Sequence, residues 1–146
     1  MVDPTDITPQ VSTVTDSTAT VPPEPNTVGL NAAPYTLAGN DLTNGISFLN
    51  TGREVVLLRK SSVTELVVTA ICATACSQGY TTEHNVIAHV QDGSVTQTWK
   101  VLGPFKKSEY NQTTAVGHLP NRVILTFSGG TTLIECIILQ APTIGD

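Results

Sequence analysis

The 146-residue sequence is poor in charge and in aromatic rings. Charged residues make up 13% of the chain and aromatic residues 5%, whereas an average soluble domain has about 25% charged residues. The 7 basic residues are outnumbered by 12 acidic ones, which gives a net charge of −5. A general nucleic-acid-binding protein needs a basic surface that neutralises phosphates, so the composition excludes that class.

Long apolar runs are also missing. No run approaches the roughly 18–20 residues that span a bilayer, and the N-terminus has neither the basic nor the apolar stretch of a secretory signal. With 40% hydrophobic residues, a chain of this length can still bury a core of useful size. We therefore expect one soluble domain, with or without an appendage.

Recognisable catalytic motifs are equally scarce. The sequence has no G-x-S-x-G element and no Gly-rich phosphate loop ahead of a helix. The acidic side chains of Asp92, Glu109 and Glu135 are predicted to lie in a turn, a loop and a strand. We interpret them as solubilising charges rather than an acid–base pair, and the sequence predicts a protein that is not an enzyme.

Three cysteines leave two alternatives beside free thiols. Cys72 and Cys76 form the spacing C-x3-C-x7-H-x4-H with His84 and His89, but this spacing is loose for a tetrahedral zinc site. A disulfide between Cys72 and Cys76 would need Cα atoms within roughly 7 Å, which a loop could supply. We expect free thiols, no metal and no cofactor, with Cys136 as a small core residue.

Proline and charge divide the chain into two regions. Residues 1–40 carry 4 acidic residues and no basic one, and 6 of the 9 prolines lie in residues 1–34. Such a sequence has little to bury and few residues that join a helix or a strand ladder. We predict an extended N-terminal arm at residues 1–34, followed by one β domain at residues 35–146. The arm is either a disordered tail or a segment that becomes ordered on a partner.

Period-two alternation dominates the chain after residue 35. Strands are predicted at residues 53–60, 65–71, 85–91, 95–101, 121–127 and 132–139. The dipeptide Asn44-Gly45, ahead of residues 46–49, indicates a hairpin turn. The predicted fold class is all-β: a single small antiparallel β-sandwich or barrel, jelly-roll-like, with the extended N-terminal arm.

Alternation also predicts which side chains point inward. The predicted inward set is Val123, Leu125, Phe127, Ile134, Cys136 and Ile138. Runs such as VVLL and LIECIIL are apolar on both faces. Such runs are typical of a compact sandwich, or of a second face that packs on another subunit.

Short motifs follow one another in a characteristic order between residues 43 and 139. The order is Asn44-Gly45, Asn50-Thr51-Gly52 leading into Val55-Val56-Leu57-Leu58, a strand at 66–70, the loop Cys76-Ser77-Gln78-Gly79-Tyr80, Asp92-Gly93-Ser94, Leu102-Gly103-Pro104-Phe105, Tyr110-Asn111 and a strand at 122–127. In this order the segment resembles small phage virion proteins, the β-sandwich capsid decoration (cement) proteins and related head proteins. The longer connection at 113–120 and the Pro/Thr-rich arm depart from the family's pattern.

The resemblance implies a structural protein of the virion, made in the host cytoplasm and bound to the capsid surface. Its partners would be the major capsid protein and further copies of the chain, in a homotrimer that bridges neighbouring capsid subunits; neither nucleic acid nor a membrane would be a partner. The arm would contact the capsid or a neighbouring copy, and many bound copies would gain by avidity.

Eight residues are predicted to contact partners. They are Val21, Pro22, Pro23, Val28, Leu30, Tyr35, Lys106 and Lys107. The first six are apolar or rigid positions of the arm and its junction, and the two lysines form the densest basic spot. Two alternative functions stay open: a receptor- or carbohydrate-binding sandwich of a phage fibre or tail, with an aromatic platform of Trp99, Tyr80 and Tyr110, and a head–tail or tail-tube subunit.

Overall fold

Two β-sheets packed face to face form the protein. The computed structural model describes residues 3–11, 34–60, 65–73, 86–90, 99–112, 119–129 and 134–140, with the backbone alone at 11 and 86–90. The strands are β1 (Thr5–Asp6), β2 (Gln10–Val11), β3 (Tyr35–Thr36), β4 (Ile46–Leu49), β5 (Glu54–Lys60), β6 (Leu66–Ala70), β7 (Val86–Val90), β8 (Lys100–Leu102), β9 (Arg122–Ser128) and β10 (Ile134–Gln140). Helix α1 (Gly39–Asn44) precedes β4, and helix α2 (Lys107–Tyr110) follows β8.

Each sheet contains five strands within the described part of the chain. The first, called the β4 sheet, has the order β1-β4-β9-β6-β7; the second, called the β5 sheet, has the order β2-β10-β5-β8, with β3 also paired to β10. The longer strands pair antiparallel, whereas the two-residue strands β1 and β2 run parallel to β4 and β10. The described strands do not close into a barrel. The predicted all-β class is therefore confirmed, in its sandwich form.

A single apolar core lies between the two sheets. Its buried members are Leu37, Ile46, Phe48, Val56, Leu58, Leu66, Val68, Ala70, Leu102, Phe105, Tyr110, Val123, Leu125, Ile134, Cys136 and Ile138. Burial alternates along β5 and β6, because successive side chains of a strand point to opposite faces. The predicted inward set is confirmed: five of its members are buried and Phe127 packs half-buried against them.

The Gly103-Pro104-Phe105 corner closes one end of this core. Phe105 contacts the rings of Phe48 and Tyr110 edge to face, with ring centroids 5.7 and 5.6 Å apart, an arrangement that aromatic pairs favour. Gly103 has φ of +103°, and a Cβ there would lie 2.9 Å from the carbonyl oxygen of Glu54. Glycine is therefore required where the chain turns from β8 into the core.

The dipeptide Asn44-Gly45 does not form the predicted hairpin. Asn44 is the last residue of α1, and the N–H of Gly45 donates a hydrogen bond to the carbonyl of Asp41 at 2.7 Å. Gly45 has φ of +84° and ψ of 179°, a backbone conformation that is essentially restricted to glycine. The dipeptide signalled a positive φ correctly, but the element before it is a helical turn rather than a strand.

Strand boundaries otherwise lie within a few residues of the predicted ones. The main difference concerns the run at 95–101, of which 95–98 lie outside the described residues and only β8 at its end is described. Within the described part of the chain, no helix is long and apolar enough to cross a membrane.

The described beginning of the predicted arm is part of the sandwich. Residues 3–11, called the N-terminal segment, contain β1 on the edge of β4 and β2 on the edge of β10. Residues 12–33, called the connector, lie outside the described residues, so the predicted boundary between residues 34 and 35 stays a prediction.

Candidate functional site: partner-binding surfaces

The N-terminal segment pairs with one strand of each sheet, β4 in the first and β10 in the second. The N–H groups of Thr5 and Ile7 donate to the carbonyls of Gly45 and Ser47 at 3.2 and 2.8 Å, and Ile7 packs half-buried against the core. Three residues after Ile7, Gln10 lies opposite Leu139. Stacked sheets are about 10 Å apart, a distance that the short stretch between β1 and β2 spans. One extended segment thus covers two sheet edges that would otherwise expose unpaired backbone groups.

Asp41 connects the N-terminal segment to the domain. Its carboxylate is buried, with 2% of the residue exposed, and Thr5 Oγ1 donates to Oδ1 at 2.5 Å. The Tyr35 hydroxyl and the Ala38 N–H both donate to Oδ2, at 3.0 and 2.7 Å. Burial is the largest cause that raises the pKa of Tyr35, and the hydrogen bond to Asp41 is the second. The hydroxyl therefore remains a donor. A buried carboxylate with three donors is well satisfied.

A second polar contact holds the exposed side of β1. Arg122 donates from Nε and a terminal nitrogen to the two carboxylate oxygens of Asp6, at 3.0 and 3.3 Å. Ser47 Oγ donates to Asp6 Oδ1 at 3.0 Å. The bidentate geometry gives the ion pair a defined orientation, and it places an acidic residue of the segment on a basic residue of β9.

The outer face of the β5 sheet is largely apolar. Cross-strand register brings Val101, Leu57 and Ile137 into one row, and Val55 and Leu139 into the next. Val101 is 63% exposed on the edge strand β8, whereas Ile137 in the middle is 5% exposed. The predicted two-sided apolar character of these strands is therefore present, because the residues between the core positions are also aliphatic.

One charged cluster borders this apolar face. Arg59 forms an ion pair with Glu135 Oε2 at 2.5 Å, directly opposite it in the β5–β10 ladder. The guanidinium also lies 4.5 Å from the centroid of the Trp99 ring, a cation–π contact. These contacts neutralise the charge and leave a face suited to another apolar surface.

A hydrogen-bonded corner lies at the Gln140 end of β10, opposite the end that pairs with Tyr35. The buried carboxylate of Glu54 accepts hydrogen bonds from the Thr51 N–H and hydroxyl, at 2.6 and 2.7 Å, and from Gln140 Nε2 at 2.9 Å. Burial works to raise the pKa of Glu54, but the hydrogen bonds from Thr51, Arg53 and Gln140 outweigh it and lower the pKa. The fold therefore stabilises the ionised carboxylate.

Two asparagines join the same corner to α2. Asn50 Nδ2 donates to the Phe105 carbonyl at 3.0 Å and to Asn111 Oδ1 at 2.5 Å, while Asn111 Nδ2 donates to the Asn50 carbonyl at 3.2 Å. Asn50 Oδ1 also accepts from the Gly52 N–H at 3.0 Å. The motifs Asn50-Thr51-Gly52 and Tyr110-Asn111, remote in sequence, are hydrogen-bonded parts of one structure.

Lys106 and Lys107 lie on the exposed side of this corner. Lys106 Nζ forms an ion pair with Glu109 at 2.7 Å, and the hydrogen bond to Glu109 raises the pKa of the lysine. The Lys107 side chain lies across Gly52, where an added Cβ would be 3.5 Å from Lys107 Cγ. Contact of these lysines with an acidic partner stays a prediction.

The predicted contact residues do not form one described cluster. Tyr35 lies beside Asp41 at the beginning of β10, whereas Lys106 and Lys107 lie near the other end of that strand. The remaining five, Val21, Pro22, Pro23, Val28 and Leu30, lie outside the described residues. Sequence reasoning missed the binding site of the N-terminal segment, since the hairpin reading of Asn44-Gly45 concealed the helix that carries Asp41.

The proposed aromatic platform is not assembled from its described members. Tyr110 is buried in the core, whereas Trp99 is half-buried beside Arg59 on the outer face of the β5 sheet. Tyr80 lies outside the described residues. A carbohydrate site that uses Trp99 and Tyr110 on one surface therefore has no support in the described part of the chain.

Cys136 is a free thiol buried in the core, the position predicted for it. Burial raises the pKa of Cys136 to about 12, so this thiol stays protonated and unreactive at neutral pH. The Cys72 thiol donates to the Glu109 carbonyl at 3.4 Å. Cys76 and His84, two residues of the C-x3-C-x7-H-x4-H spacing, lie outside the described residues.

Comparisons of the chain with protein-family models, with curated proteins and with solved structures gave no match.

Proposed function

We propose that this chain is a capsid decoration protein of a phage, which binds the outer surface of the head as a homotrimer and bridges neighbouring capsid subunits. It acts by holding subunits together and catalyses no reaction. The major capsid protein and other copies of the chain are its partners.

The observation that carries this proposal is the outer face of the β5 sheet. Val55, Leu57, Val101 and Leu139 are aliphatic side chains on a surface, and the charges beside them are neutralised within the chain. Exposed apolar faces of this kind mark interfaces between proteins. We assign this face to contact between copies of the chain, since strands apolar on both faces suit the centre of an oligomer.

The N-terminal segment supports the same proposal in a second way. It demonstrates that extended backbone with few apolar side chains can bind this sandwich through sheet edges and buried polar contacts. An arm that continues from such a segment is suited to lie across a protein surface. Residues 43–139 resemble the capsid decoration proteins, and we name the major capsid protein as the partner on the basis of this resemblance.

The decisive experiment counts this chain in purified particles from its source, by quantitative mass spectrometry against the major shell protein. A copy number comparable to that of the shell subunit supports decoration of the lattice. A few copies per particle would instead favour a vertex, connector or fibre role, and absence from particles would overturn the proposal. The oligomer mass separates a trimer from the rings expected of tail-tube or connector subunits.

Truncation of the arm needs a careful design. Removal of residues 1–30 would take away β1 and β2 together with most of the connector, and so would uncover the edges of β4 and β10. Removal of residues 14–31 keeps both strands and the prolines nearest to them. We expect this shorter deletion to weaken particle binding while circular dichroism stays unchanged; unchanged binding would exclude the middle of the arm as the capsid contact.

A further inference from the structure

The contacts of the N-terminal segment do not depend on which copy of the chain supplies it. The hydrogen bonds, the ion pair and the strand pairings described above join the segment to residues of α1, β4, β9 or β10 or to the turn between α1 and β4. The segment is linked to these elements only through the connector. A segment from a second copy would make the same hydrogen bonds, the same ion pair and the same two strand pairings.

The connector is far longer than its ends require. Val11 lies opposite Gln140 and Tyr35 lies opposite Cys136, both on the same edge of β10. These positions are four residues apart along one strand, or about 13 Å at roughly 3.3 Å per residue. The residues from 12 to 33 could span roughly 70 Å when extended, which is ample for reaching the same edge of a neighbouring copy.

The composition of the connector favours the longer reach. Its sequence includes Pro22, Pro23 and Pro25 and no basic residue. Proline-rich sequences favour an extended backbone, so this composition suits a connection between two copies.

From this geometry we infer that the N-terminal segment is exchanged between copies, so that β1 and β2 of one chain pair with β4 and β10 of the next. The partner is a second copy of this chain, and the recognised residues are Thr5 on Asp41 and Asp6 on Arg122. Exchange makes each copy's sheet edges incomplete without its neighbour, which is the usual consequence of swapping an identical element. The inference deepens the proposed function and rests on its homo-oligomer.

Cysteine pairs across the strand contacts test the exchange directly. Asp6 and Ser47 are register partners whose side chains are hydrogen-bonded at 3.0 Å. Chains carrying Asp6→Cys alone and Ser47→Cys alone, with different tags and a Cys76→Ser background, are co-expressed, purified as the oligomer and mildly oxidised. A disulfide between the two differently tagged chains forms only if the strand of one chain binds β4 of another.

The expected result is a covalent heterodimer on non-reducing gels. If equal amounts of the two chains mix at random, about one in four contacts between β1 and β4 of an exchanged oligomer brings the two introduced cysteines together. Each singly substituted chain, expressed alone in the same background, is the matched control and should give no such product. A second pair, Gln10→Cys with Leu139→Cys, tests β2 without loss of the Asp6–Arg122 ion pair.

Two results would overturn the exchange. One is an oligomer without the heterodimer at either pair, together with an intrachain disulfide in the Asp6→Cys/Ser47→Cys double variant. The other is a chain that stays monomeric at about millimolar concentration, because at that concentration a segment from another copy competes equally with the chain's own segment. A copy number close to that of the shell protein, combined with intrachain disulfides only, would support decoration and exclude exchange. A disulfide-linked heterodimer formed by a chain that is absent from particles would support exchange and exclude decoration.

Discussion

The outer faces of the two sheets differ in chemistry, although both sheets share one core. The outer face of the β4 sheet includes Ser47, Thr69 and Thr126 beside a few aliphatic residues, and Ser47 is covered by Asp6 of the N-terminal segment. On the outer face of the β5 sheet, aliphatic side chains form two adjoining rows. One face is thus partly polar and contacts the N-terminal segment, whereas the other is mainly aliphatic.

This contrast indicates where sequence alternation is informative and where it is ambiguous. In β6 and β9, polar residues between the core positions include Thr69 and Thr126, so the alternation identifies the outer face directly. In β5 and β10 both faces are aliphatic, so alternation alone cannot separate core from surface. The following predictions test whether the second face behaves as a buried surface.

The largest expected effect comes from truncating the outward-facing isoleucine of β10. Ile137→Ala should lower the free energy of unfolding by about 2–4 kcal/mol, because this side chain is almost fully buried. Ile124→Ala, at a half-buried outward position of β9, should cost about 1–2 kcal/mol. Urea unfolding followed by circular dichroism measures both, and equal losses would mean that the two outer faces are equivalent.

Leu57→Asp should weaken self-association at least about tenfold, since loss of a buried leucine contact is worth roughly 1.5–3 kcal/mol and 1.4 kcal/mol is one factor of ten. Thr69→Asp is the matched control, because Thr69 is a half-buried outward residue of the β4 sheet. Light scattering over a concentration series gives the association constants. Unaltered association of the Leu57→Asp variant, with its fold intact, would remove the β5 sheet from the oligomer interface.

Acid should weaken the β5 sheet through Glu54. The folded-state pKa lies below the unfolded value, so the carboxylate adds stability above about pH 4.5 that is lost as the pH falls through the folded pKa. Glu54→Gln should cost about 1–2 kcal/mol at pH 7, and its deficit relative to the wild type should shrink at pH 3. Urea midpoints at the two pH values measure this, and a constant deficit would show that Glu54 does not contribute to the acid sensitivity.

The smallest effect is expected at the border of the apolar face. A double-mutant cycle with Arg59→Ala and Glu135→Ala should give a coupling energy of about 0.5–1 kcal/mol, since both side chains are partly exposed. The coupling should fall in high salt. A cycle on Asp6 and Arg122 provides the comparison for the β4 sheet, and a coupling of zero for Arg59 and Glu135 would mean that their charges are independent.

The class of fold could be predicted from the sequence because β-branched runs and turn residues are local signals. The inward positions of β9 and β10 were also predictable, since Glu135 determined the direction of its strand. Asn44-Gly45 misled the prediction because a glycine with positive φ can follow either the asparagine of a hairpin turn or the last residue of a helix. The hydrogen bond from the Gly45 N–H to the Asp41 carbonyl, which closes the helical turn, distinguishes the two.

The binding site of the N-terminal segment could not be predicted in the same way. Thr5 and Asp41 are 36 residues apart in sequence, and Asp6 and Arg122 are 116 apart. Neither pair has a local signature, because a hydrogen bond between distant residues depends on the fold that brings them together. The segment also lacks the long apolar alternation by which strands are recognised, and β1 and β2 contain two residues each.

The sequence by itself determined that this protein is all-β, a sandwich or a barrel, with a proline-rich, acidic beginning, because composition and period-two alternation act within each strand. Tertiary structure alone decided that the beginning of the chain joins both sheets, that Asp41 is the buried acceptor for it, and that Tyr110 belongs to the core. These outcomes depend on packing, because two sheets must first come together before their edges, and the buried carboxylate between them, can select a partner.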